Sequence, residues 1–247
     1  MKMVAAFLAA FFALALWQSV VTFTGVPRFI LPGPGLVAET WWSSRALIAG
    51  HAFVTATEIL LGLLIGAGLG VAVALLLASS RTARVFLQPI LVFSQTLPVF
   101  ALAPILTLWL GYGLGSKVAM AVLIVFFPVA SAFLDGLLRT PHGYLDLART
   151  MQARSIAVMW HIRIPAALPS LASGLRLSAV YAPIGAVIGE WVGASEGLGY
   201  LMLLANGRSK TDLMFAALFT LSILSIALYY AMKKATEPWS RRARLNA

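Results

Sequence analysis

Long uncharged apolar runs alternate with short polar breaks from one end of the chain to the other. About 20 residues at 1.5 Å per residue cross a hydrocarbon core roughly 30 Å thick. Segments at about 3–23, 51–78, 86–110, 117–134, 166–189 and 213–232 meet that length. In lipid, backbone polar groups must be satisfied within the chain, so spans of this kind are helices. The pattern therefore predicts an all-α, polytopic membrane protein with six transmembrane helices, one domain over 1–247. Lys2 ahead of an apolar run also fits a signal peptide, with Ala13-Leu14-Ala15 as its cleavage point. The run continues to Val21, so a retained helix is expected.

Polar and small residues inside the runs add detail. Gly25, Pro27, Pro32, Gly33, Pro34 and Gly35 mark a turn-rich loop, with a short helix over 34–49 that sets Trp41 and Trp42 at the interface. Gly62, Gly66 and Gly70 recur every four residues, a small stripe on which another helix can pack closely, or simply glycines that a membrane helix tolerates. Glu58 stands inside the second span and must face protein or water. The uncharged run 85–116 is too long for one straight span, and Pro89, Pro98 and Pro104 interrupt it. It predicts an entry helix, a kink at Gln95-Thr96-Leu97-Pro98 and an end near Leu110. Broken helices at membrane depth line cavities or pack in protein. Gln95, Thr96 and Pro98 are thus candidates for a solute path, with packing the equal alternative. The fifth span is the most polar, and Tyr181 on it joins the candidates. Arg176 either snorkels or pairs with Asp135. Residues 190–212 read as an outer loop opened by Glu190, which is open between a solute contact and an interfacial acid.

Composition agrees. Of 247 residues 61% are hydrophobic and 11% charged, with mean hydropathy +0.92. The net charge of +10 suggests nucleic acid in a soluble protein, but here its distribution explains it better. Six spans put Lys2, Arg81, Arg84, Arg139, Arg149, Arg154, Arg163, Lys233, Lys234, Arg241, Arg242 and Arg244 on one side. The other side holds Arg28, Arg45, Lys117, Arg208 and Lys210. The positive-inside rule then places both termini in the cytoplasm. No cysteine is present, which excludes disulfides and thiolate sites. Gly111-Tyr112-Gly113-Leu114-Gly115 is a glycine turn without the Gly-x4-Gly-Lys-Ser/Thr pattern of a phosphate loop. His51, His142 and His161 lie at span ends or in loops, so no metal or catalytic set is expected inside the membrane.

The longest polar interruption is 142–165. It reads as two short helices broken near Gln152 and Ala153, with Ser155 as N-cap of the second. Ile156, Met159, Trp160 and Ile162 form an apolar ridge among Arg149, Arg154 and Arg163. Charge and periodicity leave open whether this is a solvated loop on the bilayer or a docking surface. The stretch resembles the EAA loop of bacterial binding-protein-dependent ABC importer permeases. Asp146 stands at the Glu, Leu147 and Ala148 at the two Ala, and Gln152 at the Gly. Ile162 stands at the Ile, Ile164 at the Leu and Pro165 at the Pro. All offsets agree; Gln for Gly is the departure that is not conservative.

The resemblance extends to Leu31-Pro32-Gly33-Pro34 and Gly197-Leu198-Gly199, so it covers nearly the whole chain. It implies the type I ABC importer permease fold in the bacterial inner membrane. It further implies a homodimer in lipid, a cytoplasmic ATPase dimer that holds ATP and Mg, and an extracytoplasmic substrate-binding protein. The chain itself would carry no cofactor and no catalytic residue. Asp146, Leu147, Ala148, Gln152, Ala153, Ile162 and Pro165 would couple it to the ATPase. Residues 182–191 look most like permeases for the pyrimidine precursor of thiamine, with nitrate, sulfonate and taurine permeases close behind. If Glu190 faces the path, its charge disfavours an anion. An ion-driven secondary transporter is the alternative of another class; it needs a relay of membrane acids, and only Glu58 lies well inside a span.

Overall fold

The computed structural model describes residues 2–245, and all regular structure among them is helical. The expectations on Met1, Asn246 and Ala247, and on the side chains of Lys2, Arg241, Arg242 and Arg244, lie outside what is described. The helices are α1 (Lys2–Thr24), α2 (Pro34–Ser43), α3 (Arg45–Ser79), α4 (Arg81–Thr96), α5 (Val99–Leu110) and α6 (Leu114–Leu138). They continue as α7 (His142–Thr150), α8 (Ser155–Val158), a π-helical turn at Met159–Arg163, α9 (Ile164–Gly193), α10 (Leu198–Gly207) and α11 (Thr211–Leu245).

Four stretches are long and apolar enough to cross a membrane: Arg45–Ser79, Leu114–Leu138, Ser155–Gly193 and Thr211–Ser240. The α4–α5 pair, bent by 98°, makes a fifth if it counts as one span; of α1, the predicted first span, the described part Phe11–Thr24 is a shorter apolar helix. The bend has a local cause. Pro98 offers no backbone N–H and forces Leu97 into an extended conformation (φ −75°, ψ 126°), which ends α4. At the start of α4, Ser80 Oγ accepts from the amide of Ala83 at 3.1 Å, and Arg84 Nε donates back to the carbonyl of Leu77 at 3.1 Å. Arg81 and Arg84 therefore lie in the first turn of α4.

The chain divides into two compact units. The first joins residues 1–55 to 195–223. Val37, Ile48, Leu198, Leu201, Ala216 and Ala217 form its core. Trp17 stacks on Phe215 and Phe219 at 5.7 and 5.8 Å. Thr40 Oγ1 donates to Asp212 at 2.8 Å and Trp41 Nε1 to Thr220 at 2.9 Å. The expected outer loop of 190–212 is mostly helical, because α9 runs on to Gly193 and Leu198 opens α10. Gly197 sits at φ 112°, a conformation that side chains resist. Its amide donates to His51 Nδ1 at 3.0 Å, and that of Leu198 to Thr55 Oγ1 at 2.7 Å. Side chains of α3 thereby satisfy the free amides at the start of α10.

The second unit, residues 56–194 with 224–247, is built on α6. Lipid tails are as apolar as leucine, so helices in a membrane associate by close packing rather than by escape from water. Gly62, Gly66 and Gly70 lie against α6. A Cβ at Gly62 would clash with that of Ala121; at Gly66 it would stand 2.8 Å from Val125 Cγ1, and at Gly70 2.8 Å from the carbonyl of Phe126. On the other flank, Gly174 and Gly185 of α9 come equally close to Pro128 and Ala121. Ser178 Oγ donates to the carbonyl of Val125 at 3.0 Å. The core between these helices holds Ile59, Leu77, Val125, Val129, Phe133 and Leu137. Arg176 does not pair with Asp135: its guanidinium donates to Thr236 Oγ1 at 2.8 Å and Ser240 Oγ at 2.9 Å, on the part of α11 beyond the predicted span 213–232. Those hydroxyls on α11 satisfy the donors without a carboxylate.

Candidate functional site

The loop between α6 and α9 is built for exposure. In α7, Ala148 is buried while Asp146 and Leu147 face outward. Arg149 Nη1 meets Asp146 Oδ1 at 2.9 Å, with 79% and 64% of the two side chains exposed. A pair so solvated contributes at most about 1 kcal/mol. The helix ends in a Schellman turn. The amide of Ala153 donates to the carbonyl of Ala148 and that of Gln152 to Arg149, both at 2.9 Å. In this turn the residue after the cap is left-handed and usually glycine. Gln152 occupies it at φ 53°. The residue that departs from the sequence pattern thus keeps the backbone that the pattern's glycine would supply.

Gln152→Gly is therefore expected to leave stability unchanged or to raise it by up to about 1 kcal/mol, the relief of left-handed strain being partly offset by a looser unfolded chain. Gln152→Val, β-branched at the same φ, is expected to cost about 1–2 kcal/mol. Thermal unfolding of the purified variants in lipid measures both. A Val variant as stable as the parent contradicts the account of the turn.

Beyond the turn, Arg154 is at the cap of α8 and no side chain caps the helix. Ser155 is its first helical residue, one place later than the expected N-cap. The expected ridge is split. Ile156 and Trp160 are exposed, whereas Met159 and Ile162 turn inward, Met159 onto the core of the second unit. The π-helical turn explains how the chain continues through Pro165. The amide of Ile164 reaches five residues back to Met159, and the widened turn absorbs the donor that Pro165 lacks. Pro165 itself is exposed.

The outer surface of the corner therefore presents Leu147, Met151, Ile156 and Trp160, each at least 60% exposed, among Arg149, Arg154 and Arg163. An exposed apolar patch with a charged rim fits a contact surface for a protein or for the membrane. Behind it lies a cavity of about 630 Å³ between the end of α3 (Leu75, Ala78, Ser79) and the loop, with Arg149, Trp160 and Arg163 among its lining residues.

The remaining candidates fall into two places. Gln95 and Tyr181 line one cavity of about 550 Å³ together with Ser131 and Asp135. Thr96 and Pro98 do not line it; Thr96 Oγ1 bonds the carbonyl of Phe93 at 2.8 Å, and Pro98 makes the bend. Glu190 is elsewhere. It is 1% exposed and adds a second carboxylate beside the ion pair of Glu58 and Lys117. Lys117 Nζ stands 3.3 Å from Glu58 Oε1, with the side chains 7% and 0% exposed. Lys117 thus belongs to the interior and leaves the outer charge count. Gly189 lets α9 reach it, since a Cβ there would stand 3.0 Å from Lys117 Cα. The sequence showed two isolated acids and a loop lysine; only the packing of α3, α6 and α9 makes them one cluster.

Residues 65–242 match the family described as binding-protein-dependent transport system inner membrane component. The chain is 51% identical over 219 residues to a probable ABC transporter permease protein of Haemophilus influenzae, covering 89% of each. It is 37% identical over 233 residues to the formylaminopyrimidine transport permease protein ThiX of Halalkalibacterium halodurans, covering 93% of each. It is also 37% identical over 218 residues to the riboflavin transport system permease protein RibX of Chloroflexus aurantiacus, covering 87% of this chain and 81% of that one. Among solved structures, a chain of the MetNI methionine ABC transporter superposes with TM-score 0.70 at 19% identity, covering 80% of this chain and 98% of that one. That likeness shows the fold.

Proposed function

The chain belongs to the family of binding-protein-dependent ABC transport inner-membrane components, and from that premise we propose that it forms one half of an import path for the hydroxymethylpyrimidine precursor of thiamine. In this reading two copies face each other in the bacterial inner membrane, with their termini in the cytoplasm. A cytoplasmic ATPase dimer holds ATP and Mg and docks on the α7–α8 corner. A separate binding protein delivers the solute from outside.

The observation that carries the coupling role is the corner itself: a surface-exposed apolar patch in a cationic rim, set by a Schellman turn at the positions of the EAA pattern. The cargo rests on a different footing. The two relatives at 37% identity named for a solute are named for formylaminopyrimidine and riboflavin, both nitrogen heterocycles. The resemblance of residues 182–191 to permeases for the pyrimidine precursor of thiamine points the same way.

The test is ATP hydrolysis by the assembled complex in lipid, with its binding protein, against hydroxymethylpyrimidine, formylaminopyrimidine, riboflavin, taurine, an alkyl sulfonate and nitrate. Stimulation by hydroxymethylpyrimidine above the others is the expected result. Stimulation by taurine or a sulfonate alone overturns the cargo.

A further inference from the structure

Where the break between α4 and α5 meets α6 and α9, the cavity of about 550 Å³ lies within the range of small-molecule sites, roughly 300–1,000 Å³. Gln95 lines it from the break, Phe127, Ser131 and Asp135 from α6, and Tyr181 from α9. Ser131 and Asp135 are one turn apart and share a helix face. Among the described residues the Asp135 carboxylate has no hydrogen bond or ion pair, and the Ser131 and Tyr181 hydroxyls have none either. The Gln95 amide reaches only its neighbour Ser94, at 3.4 Å. Arg139, four residues after Asp135, bonds it through the backbone alone, at 3.0 Å. Asp135 is exposed near the end of α6, just past the predicted span 117–134, so its unneutralised carboxylate stands at the water-accessible end of the cavity.

We propose that this cavity is a solute-contact station on the import path and that Asp135 is its charge filter. It takes a neutral or cationic ring compound bearing N–H donors and disfavours sulfonates and other anions. Asp135 accepts from the donors, Gln95 both donates and accepts, and the rings of Phe127 and Tyr181 offer aromatic contact. An anion meets Coulomb repulsion from Asp135 that a neutral heterocycle escapes. The charge argument that the sequence attached to Glu190 thus moves to Asp135, which no pattern in the sequence singled out as a solute contact. The inference rests on the reading of this chain as part of an import path.

The chain has no cysteine, so Ser131→Cys creates a unique probe inside the cavity. In the assembled complex in lipid, its rate of reaction is measured with two methanethiosulfonates, one carrying a quaternary ammonium and one a sulfonate. Relative to a small free thiol, the cationic reagent is expected to be favoured about tenfold or more. Adding Asp135→Asn should abolish that preference, and adding Asp135→Glu should keep it. Whichever solute of the panel stimulates hydrolysis should, when present during ATP turnover, slow the labelling. An equal preference with Asp and Asn overturns the filter, and labelling indifferent to cargo overturns the station. The thiol ratio does not depend on which solute stimulates hydrolysis, so a wrong cargo and a wrong filter give separate results.

Discussion

Asp146→Lys is expected to leave the permease folded in the membrane and to strip it of its ATPase. The side chain is 64% exposed and its one ion pair, with Arg149, is equally solvated, so the fold loses at most about 1 kcal/mol. The loss falls on the partner. Asp146 is the only acid on a corner otherwise rimmed by Arg149, Arg154 and Arg163. In the proposed docking role the complementary surface sets a cation against Asp146, so reversing its sign brings like charges face to face across the interface, which costs several kcal/mol. ATPase recovered with the detergent-solubilised permease should fall at least about tenfold, each factor of ten being about 1.4 kcal/mol. Hydrolysis stimulated by the loaded binding protein should fall with it. An Asp146→Lys complex that keeps its ATPase and its stimulated hydrolysis contradicts the docking role.

The second large effect is in the interior. Lys117→Met removes the ammonium that stands 3.3 Å from Glu58 Oε1 and leaves the buried Glu58 carboxylate beside that of Glu190. Breaking a buried ion pair from one side costs about 3–5 kcal/mol, enough to consume much of a domain's net stability. The variant is expected to unfold at markedly lower temperature or to be lost on extraction. Combining it with Glu58→Gln should recover part of the loss, since the carboxylate that faced the ammonium is then neutral as well. Thermal unfolding of the three variants in lipid separates the cases. A single variant as stable as the parent contradicts the structural weight placed on the pair, and so does a double variant no better than the single.

Features governed by local chemistry were open to reading from the sequence. The break at Leu97-Pro98 follows from a missing N–H and a restricted neighbour. The turn at Gln152 follows from the register of 142–165 and the resemblance it carries. The glycines at 62, 66 and 70 declare a close neighbour, though not which helix it is; the structure supplies α6. What stayed hidden depends on helices distant in sequence. Arg176 finds hydroxyls some sixty residues on rather than Asp135. Lys117 looks like a loop cation until α3 and α9 close on it. Glu190 looks like the mouth of a path until the same packing buries it. Asp135 shares a cavity with Gln95 and Tyr181 only because the 98° bend sets the end of α4 beside α6 and α9. A period of 3.6 residues tells which face of a helix is apolar but not which helix meets it.

The most direct measurement is uptake of labelled hydroxymethylpyrimidine by vesicles containing the permease with its ATPase, with the binding protein outside and nucleotide sealed inside. An ATP-driven importer accumulates label only with ATP within and binding protein without, and not with a non-hydrolysable analogue. Accumulation driven by an ion gradient alone, without ATP or binding protein, contradicts the account and returns the chain to the class of secondary transporters.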